Sequence, residues 1–302
     1  MMTTTTKHRI AMIGVGLMGH GIAKHICSHP DYELHFFAHS GNQPVDDLLA
    51  MGAVAHDRLD SLADIAEIVL ICVTGANEVN SILFGQDGIA EDLADGTIVI
   101  DCSTGLPERT KQVASELAKC NILFADAAMT RTPKEAEEGR LNLIVGAEER
   151  LFETITPLLS CFSEHITHAG AAGSGQMLKL IHNYVSLGYA GIMAEAAATA
   201  KSYDISAERL IEVLELGGGN SVVLDRFAPY LREGDISRLQ FSLSNAAKDI
   251  GYFIQSCGGS AVSNALLDQL CQAIEHNGSQ PSVLTLTDFY VTQHASNDKK
   301  PV

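Results

Sequence analysis

The sequence predicts an α/β protein in which an N-terminal Rossmann-type doubly wound sheet is followed by an all-α C-terminal domain. Three observations predict it. From residue 8 to about 168, short apolar runs alternate with amphipathic stretches, which implies helical crossovers between mostly parallel strands. A glycine-rich turn, GVGLMG, directly follows the first run. After the glycine cluster GAAGSG at 170–175, the runs of strand period disappear and only helical patterns follow. The expected domains are 1–168 and 169–302, a division consistent with single domains clustering at about 100–200 residues.

In chain order, RIAMIG, ELHFFA, EIVLICV, TIVIDC, ILFADA and LNLIVG are strand-like and bounded by turn residues. The helical stretches between them include HGIAKHICS, EVNSILFG and PERTKQVASELAKC, the last opening on a proline suited to a first helical turn. Beyond the glycine cluster a long helix is expected over 175–203, apolar almost all round, as in a domain core or a dimer interface. Its Lys179, His182, Asn183 and Glu195 argue against a membrane span. Further helices are expected near 206–216, 221–232, 241–256 and 261–276.

Composition narrows the function. A hydrophobic fraction of 46% with 19% charged residues is that of a globular chain with a sizeable core. The net charge of −17 and pI near 5.0 oppose broad binding to nucleic acid or an anionic membrane, so an anionic ligand would need cations placed locally. The start, MMTTTTKHRI, lacks the apolar core of a signal peptide, and a soluble cytoplasmic protein is expected. Seven cysteines, at 27, 72, 102, 120, 161, 257 and 271, form no CxxC pair. They read as reduced, buried small hydrophobes rather than disulfides or zinc ligands, and no metal is expected.

Gly14, Gly16 and Gly19 form G-x-G-x-x-G between the first strand and the first helix. There the glycines permit a tight turn, close backbone approach to a pyrophosphate and close helix packing. An ordinary glycine-rich turn is the alternative. The second strand ends FFAHS, without the carboxylate that would accept from the ribose hydroxyls of NAD. His39 and Ser40 could contact a 2′-phosphate, so NADP is favoured. NAD stays open, because an acid-free strand end admits it too and His39 alternatively is a solvated loop residue.

Lys179 and Asn183 share one face of the long helix, one turn past the glycine cluster. A lysine shielded from water can have its pKa lowered toward neutrality, which suits it to proton transfer at a carbonyl oxygen. A lysine that merely snorkels is the alternative. In DAAMTRTPKEA, Arg131 offers a rigid fork of five donors that fits a carboxylate, sulfonate or phosphate. Its alternative is an internal ion pair, for instance with Glu135 or Glu138.

Four ordered motifs, GVGLMGHGIA, VIDCSTGLP, DAAMTRTPKEAEEGRLNLIVG and GAAGSGQMLKLIHNY, resemble those of the β-hydroxyacid dehydrogenases, over essentially residues 8–290. The resemblance implies an oxidoreductase that transfers hydride between NADP or NAD and a small 3-hydroxy acid or its semialdehyde, working as a homodimer or homotetramer. It makes Lys179 the general acid/base and Asn183 its partner. The cofactor would meet Gly14, Gly16, Leu17, Met18, Gly19, His39, Ser40, Val73, Thr74, Thr104, Gly173 and Lys248. The substrate would meet Ser103, Thr130, Arg131 and Thr132. Plain strand-end capping is the alternative for Ser103 and Thr104.

The departures bear on substrate. The family's usual Asp-Ala-Pro-Val-Ser-Gly-Gly is here Asp126 to Thr132, with Arg131 and Thr132 replacing the two glycines. A cationic anion site is implied, and TRT looks like the Gly-Arg-Thr of sulfolactaldehyde reductases. His182 stands where the family more often has asparagine; an imidazole there could tune Lys179 or pack, and packing is the expectation. Rival readings are a non-catalytic cofactor-binding scaffold and an imine-reducing relative. Retention of Lys179 and Asn183 speaks against the first, and retention of the lysine, which imine-reducing relatives typically replace, against the second.

Overall fold

The computed structural model describes residues 7–297. Eight strands form one sheet: β1 (His8–Ile13), β2 (Tyr32–Phe37), β3 (Val54–His56), β4 (Ile68–Ile71), β5 (Ile98–Asp101), β6 (Leu123–Thr130), β7 (Leu141–Gly146) and β8 (Ser163–Gly170). Seven helices accompany them: α1 (Gly19–Ser28), α2 (Asp46–Ala50), α3 (Asp60–Ala63), α4 (Ala76–Phe84), α5 (Pro107–Lys119), α6 (Pro133–Glu137) and α7 (Glu149–Leu159). The remainder is helical: α8 (Ser174–Ser202), α9 (Ala207–Glu215), α10 (Val222–Glu233), α11 (Leu243–Cys257), α12 (Ala261–Asn277) and α13 (Leu286–Asn297), with one 3-10 turn at Val283–Thr285.

The sheet order is β3-β2-β1-β4-β5-β6-β7-β8. Every pairing is parallel except β6 with β7. Strand alternation explains the layers. Ile10 and Met12 of β1 face one core with Ile22 and Ile26 of α1 and Leu151 and Ile155 of α7. Ala11 and Ile13 face the other with Val79 and Leu83 of α4 and Val113 and Leu117 of α5. Both faces are covered, which is why the central strands read as continuous apolar runs.

The chain divides into two compact units, residues 1–179 and 180–302. The division falls inside α8, eleven residues beyond the expected 168/169 border, because the first turn of α8 is bonded to the sheet unit, as described below. In the second unit, Ala190, Met193 and Ala194 of α8 pack with Phe227 of α10, Ile250 of α11, Leu270 of α12 and Phe289 of α13. Ser206, Ser221, Ser242 and Ser260 cap the N-termini of α9 to α12 through their hydroxyls.

Several expectations need correction. The edge strands β3 and β8 were not legible: the first has three residues, and SEHITHAG in the second is largely solvated and carries no apolar alternation. Nor was α13, whose apolar residues scatter around its circumference. Cys120, Cys257 and Cys271 are exposed, not buried. The long helix is apolar almost all round as expected, and Leu178, Ile181, Val185, Tyr189 and Ile192 form an exposed stripe on it, so the domain core does not bury it fully. Among the described residues, no helix is long and apolar enough to cross a membrane.

The β2–β3 edge carries a titratable pair. His35 Nδ1 lies 3.0 Å from His56 Nε2, and His56 Nδ1 lies 3.1 Å from the Ser61 hydroxyl. Burial holds the His35 imidazole below its ordinary pKa, against the pull of Glu33 and with a further push from His56. Below about pH 6.5 the unfolded chain takes up a proton that folded His35 resists, so acid favours unfolding there, whereas above it no such penalty exists. A thermal-denaturation series of wild type and His35→Asn is expected to show wild type the more stable at pH 7.5, with the gap narrowing by pH 5. A gap independent of pH would contradict the neutral His35.

Candidate active site

In a doubly wound sheet, ligands bind outside the carboxyl ends of the strands where the strand order reverses. Here that point lies between β1 and β4. Gly14, at φ +102°, follows β1 so closely that a Cβ would sit 2.2 Å from the carbonyl oxygen of Cys72, beyond β4. Gly19 in turn packs on the turn itself, where a Cβ would lie 2.0 Å from the Gly14 carbonyl oxygen. Gly16 differs: a Cβ there would meet nothing within 4 Å. Its face is open space, as a backbone that must admit a pyrophosphate requires. Met18, at the N-cap of α1, supplies no side-chain acceptor, and Leu17 is 63% exposed. These residues fit a dinucleotide.

Most other predicted sheet-unit residues emerge along the same carboxyl edge. Ala38, His39 and Ser40 follow β2 and are exposed. The Gly41 amide donates to His39 Nδ1 at 3.0 Å, so the proton of a neutral ring is on Nε2, leaving that nitrogen a donor. Asn42, missed in the sequence, accepts from the Val15 amide at 3.3 Å and donates to the Phe37 carbonyl at 2.9 Å. It ties the glycine turn to the end of β2. Val73 and Thr74 follow β4, and the half-buried Thr104 follows β5. Ser103 is 2% exposed; its hydroxyl accepts from the Val73 amide at 3.0 Å, and its own amide donates to Asp101 at 2.8 Å. These bonds tie the end of β5 to the end of β4, in keeping with the strand-end capping alternative for Ser103.

Two buried carboxylates, neither singled out in the sequence as a site residue, lie side by side where Asp101 of β5 registers with Asp126 of β6. Burial pushes Asp101 up to about 6, opposed by the Ser103 amide and hydroxyl. Burial pushes Asp126 up to about 7, with the Asp101 charge adding and the amides of Gly173 and Gln176 opposing. Those amides donate to Asp126 at 2.6 and 2.8 Å. Gln176, also missed, accepts from the Gly105 amide at 2.9 Å and donates to the Ser103 carbonyl at 2.7 Å. The first turn of α8 is therefore bonded to β6 and to the loop after β5. Lys179, 8% exposed, follows one residue triplet later on the same helix.

β6 continues past Asp126 to Thr130, which is buried. Arg131 has φ +80°, a left-handed conformation uncommon for any residue but glycine, inherited by an arginine at a position where the resemblance has glycine. Its guanidinium bonds Glu164 of β8 and the Arg140 carbonyl. The ion-pair alternative therefore holds for Arg131, with a partner other than Glu135 or Glu138. Thr132 caps α6 in a reciprocal box with Glu135. The sequence signals of that cap, a proline directly after Thr132 and a glutamate three residues after it, were not read as one, because Thr132 was assigned to the substrate.

In the helical unit, Asn183 is 6% exposed and donates to the buried Asp249 Oδ2 at 2.6 Å. Lys248 is half-buried, its Nζ 3.5 Å from Asp249 Oδ1. Asp249 was missed, although it adjoins Lys248 in NAAKDIG. His182 is exposed, not packed, with Nδ1 3.0 Å from Asn183 Oδ1.

A glycine turn with open space beside Gly16 lies at the switch point, and a buried lysine lies on the helix that follows the sheet. The chain belongs to the β-hydroxyacid dehydrogenases and is an NAD(P)-dependent hydroxyacid dehydrogenase. Residues 9–170 match the family model for the NAD-binding domain of 6-phosphogluconate dehydrogenase. Residues 173–282 match that for the NAD-binding region of NADP-dependent 3-hydroxyisobutyrate dehydrogenase. The uncharacterized oxidoreductase YkwC of Bacillus subtilis is 29% identical over 289 residues, spanning 93% of this chain and 99% of that protein. The 3-sulfolactaldehyde reductase of Escherichia coli K12 is 28% identical, over 80% of each. A Mycobacterium tuberculosis 3-hydroxyisobutyrate dehydrogenase structure shares the fold at TM-score 0.84 and 20% identity, over 94% of this chain and 99% of that one.

The glycine geometry predicts opposite outcomes for two substitutions. Gly16→Ala is expected to keep the wild-type melting temperature but to weaken NADPH binding at least about tenfold, roughly 1.4 kcal/mol. Gly19→Ala, with its Cβ against backbone, is expected to lower the melting temperature as well. Fluorescence titration and thermal denaturation check both.

Proposed function

We propose that this dehydrogenase reduces, or in reverse forms, the semialdehyde of a small acid, with Lys179 as the proton donor at the carbonyl oxygen. The observation that carries the reading is Lys179 itself: a buried lysine, one turn into a helix whose start is bonded to the carboxyl edge of the sheet. When bound, the reduced nicotinamide supplies the hydride. Lys179 gives its proton to the oxygen, so a carbonyl becomes an alcohol, and takes it back in the oxidative direction. Asn183 orients the substrate, its amide held by Asp249. Gly14, Gly16, Leu17, Met18 and Gly19 cradle the pyrophosphate; Val73, Thr74, Thr104, Gly173 and Lys248 border the rest of the cofactor. Ser103 borders the substrate from the loop after β5, its hydroxyl and carbonyl already engaged by Val73 and Gln176.

NADP is the preferred cofactor. The end of β2 carries no carboxylate, and His39 offers an Nε2 donor with Ser40 beside it. The likeness of the helical region to an NADP-dependent family model supports the same choice. The substrate's acid group is held at Thr130, Arg131 and Thr132, where Arg131 exchanges Glu164 for the incoming anion. A sulfonate suits that fork as well as a carboxylate does, and the 3-sulfolactaldehyde reductase relative favours testing one. The exposed apolar stripe of α8 is the surface through which the protein forms a homo-oligomer. The working compartment is the cytoplasm.

The test is NADPH and NADH oxidation with methylmalonate semialdehyde, succinic semialdehyde, tartronate semialdehyde, glyoxylate and sulfolactaldehyde. Lys179→Ala is expected to lose about 10²- to 10⁴-fold in kcat while still binding NADPH. Wild-type activity retained by Lys179→Ala would sink the assignment. Arg131→Gly, which removes the guanidinium and suits the local backbone, is expected to raise KM for the acid substrates with little loss of melting temperature. Glu164→Gln should lower KM by freeing the fork; an unchanged KM in both variants would place the anion elsewhere.

A further inference from the structure

We propose that Asp126 is a positioning residue that, with Gln176, sets where the first turn of α8 presents Lys179. The proposal rests on the reading of Lys179 as proton donor.

Asp126 is fully buried, and a buried carboxylate is costly unless its oxygens are satisfied. Oδ1 accepts from Gly173 and Oδ2 from Gln176. Gly173 directly precedes α8 and Gln176 lies in its first turn, where the amides have no partners within the helix and the dipole favours negative charge. The surroundings are shaped to this carboxylate. A Cβ on Gly146 of β7 would lie 2.4 Å from Oδ1, and one on Gly175 of α8 would lie 2.5 Å from Oδ2. Gly173, at φ +89°, holds a left-handed conformation and would bring a Cβ within 3.0 Å of the Pro107 carbonyl oxygen. Three glycines thus let one carboxylate grip the helix at close quarters.

Gln176 adds a second direction. Its amide engages the Gly105 amide and the Ser103 carbonyl on the loop after β5, the loop that carries Thr104. One anchor fixes the helix along its axis; two fix its rotation as well. Lys179 is three residues beyond Gln176, on the same side of the helix. Apolar packing could hold a helix of this length without a buried charge, but it would not fix the first turn with the same directional precision. Of the titratable groups, Asp101 on β5 faces Asp126; β7 and α8 present glycine and Gln176, and the loop before α8 presents the Ala171 carbonyl.

The experiment compares wild type, Asp126→Asn, Gln176→Met and Lys179→Ala for melting temperature, NADPH affinity, kcat, KM and the pH profile of kcat. An amide at 126 can accept only one of the two helix amides. Asp126→Asn and Gln176→Met are expected to bind NADPH within about twofold of wild type. Their kcat is expected to fall about 10- to 100-fold with KM little changed, the loss produced by displacing a reacting group by about an ångström. The limb of the pH profile that depends on Lys179 should move, a change that a purely structural cap would not produce. An unchanged kcat and pH profile, with only the melting temperature lowered, overturns the proposal. Should Asp126→Asn not fold, Gln176→Met decides alone, since it leaves the carboxylate in place. If Lys179→Ala retains full turnover, the reading of Lys179 falls and the proposal with it. If Lys179→Ala is inactive while the other two variants keep kcat and pH profile, the positioning claim alone falls.

Discussion

The buried carboxylate of Asp126 is the constraint around which the sheet and the long helix are built. A charge removed from water must find donors, and the nearest unsatisfied donors are the first amides of α8. The chain meets the demand by ending β8 at the level of Asp126 and turning into the helix through Gly170, Gly173 and Gly175. Gly146 is small for the same reason. The border between the compact units falls after Lys179 because these bonds hold the helix start to the sheet.

The carboxyl edge shows a parallel economy of backbone. Gly14 nests against the Cys72 carbonyl and Gly19 against Gly14, so the tight turn closes on itself, whereas Gly16 is left facing open space. Gly14 and Gly19 are held to glycine by neighbouring backbone, and Gly16 alone of the three is not. Asn42 and Ser103 then lace neighbouring strand ends together, one across β1 and β2, the other across β4 and β5. Polar residues that look available for binding in the sequence are in part spent on holding the edge in shape. Arg131 is a further case: its fork already holds Glu164, so an anion must displace a carboxylate to reach it.

What the sequence by itself determined follows from periodicity and glycine placement. Alternating strand and helix patterns, the switch to helices after residue 170, the G-x-G-x-x-G turn and the helical pairing of Lys179 with Asn183 are local signals, legible because each lies within a few residues of chain. The edge strands β3 and β8 escaped because one face of each is solvated and neither needs an apolar run. What only the tertiary structure decided is which polar groups meet: Asp126 with Gly173 and Gln176, Asn183 with Asp249, Arg131 with Glu164, His35 with His56. Those partners are separated by 21 to 66 residues of chain. Nothing in the spacing of either partner encodes the other, because burial and hydrogen-bond satisfaction are settled only when distant segments share one volume.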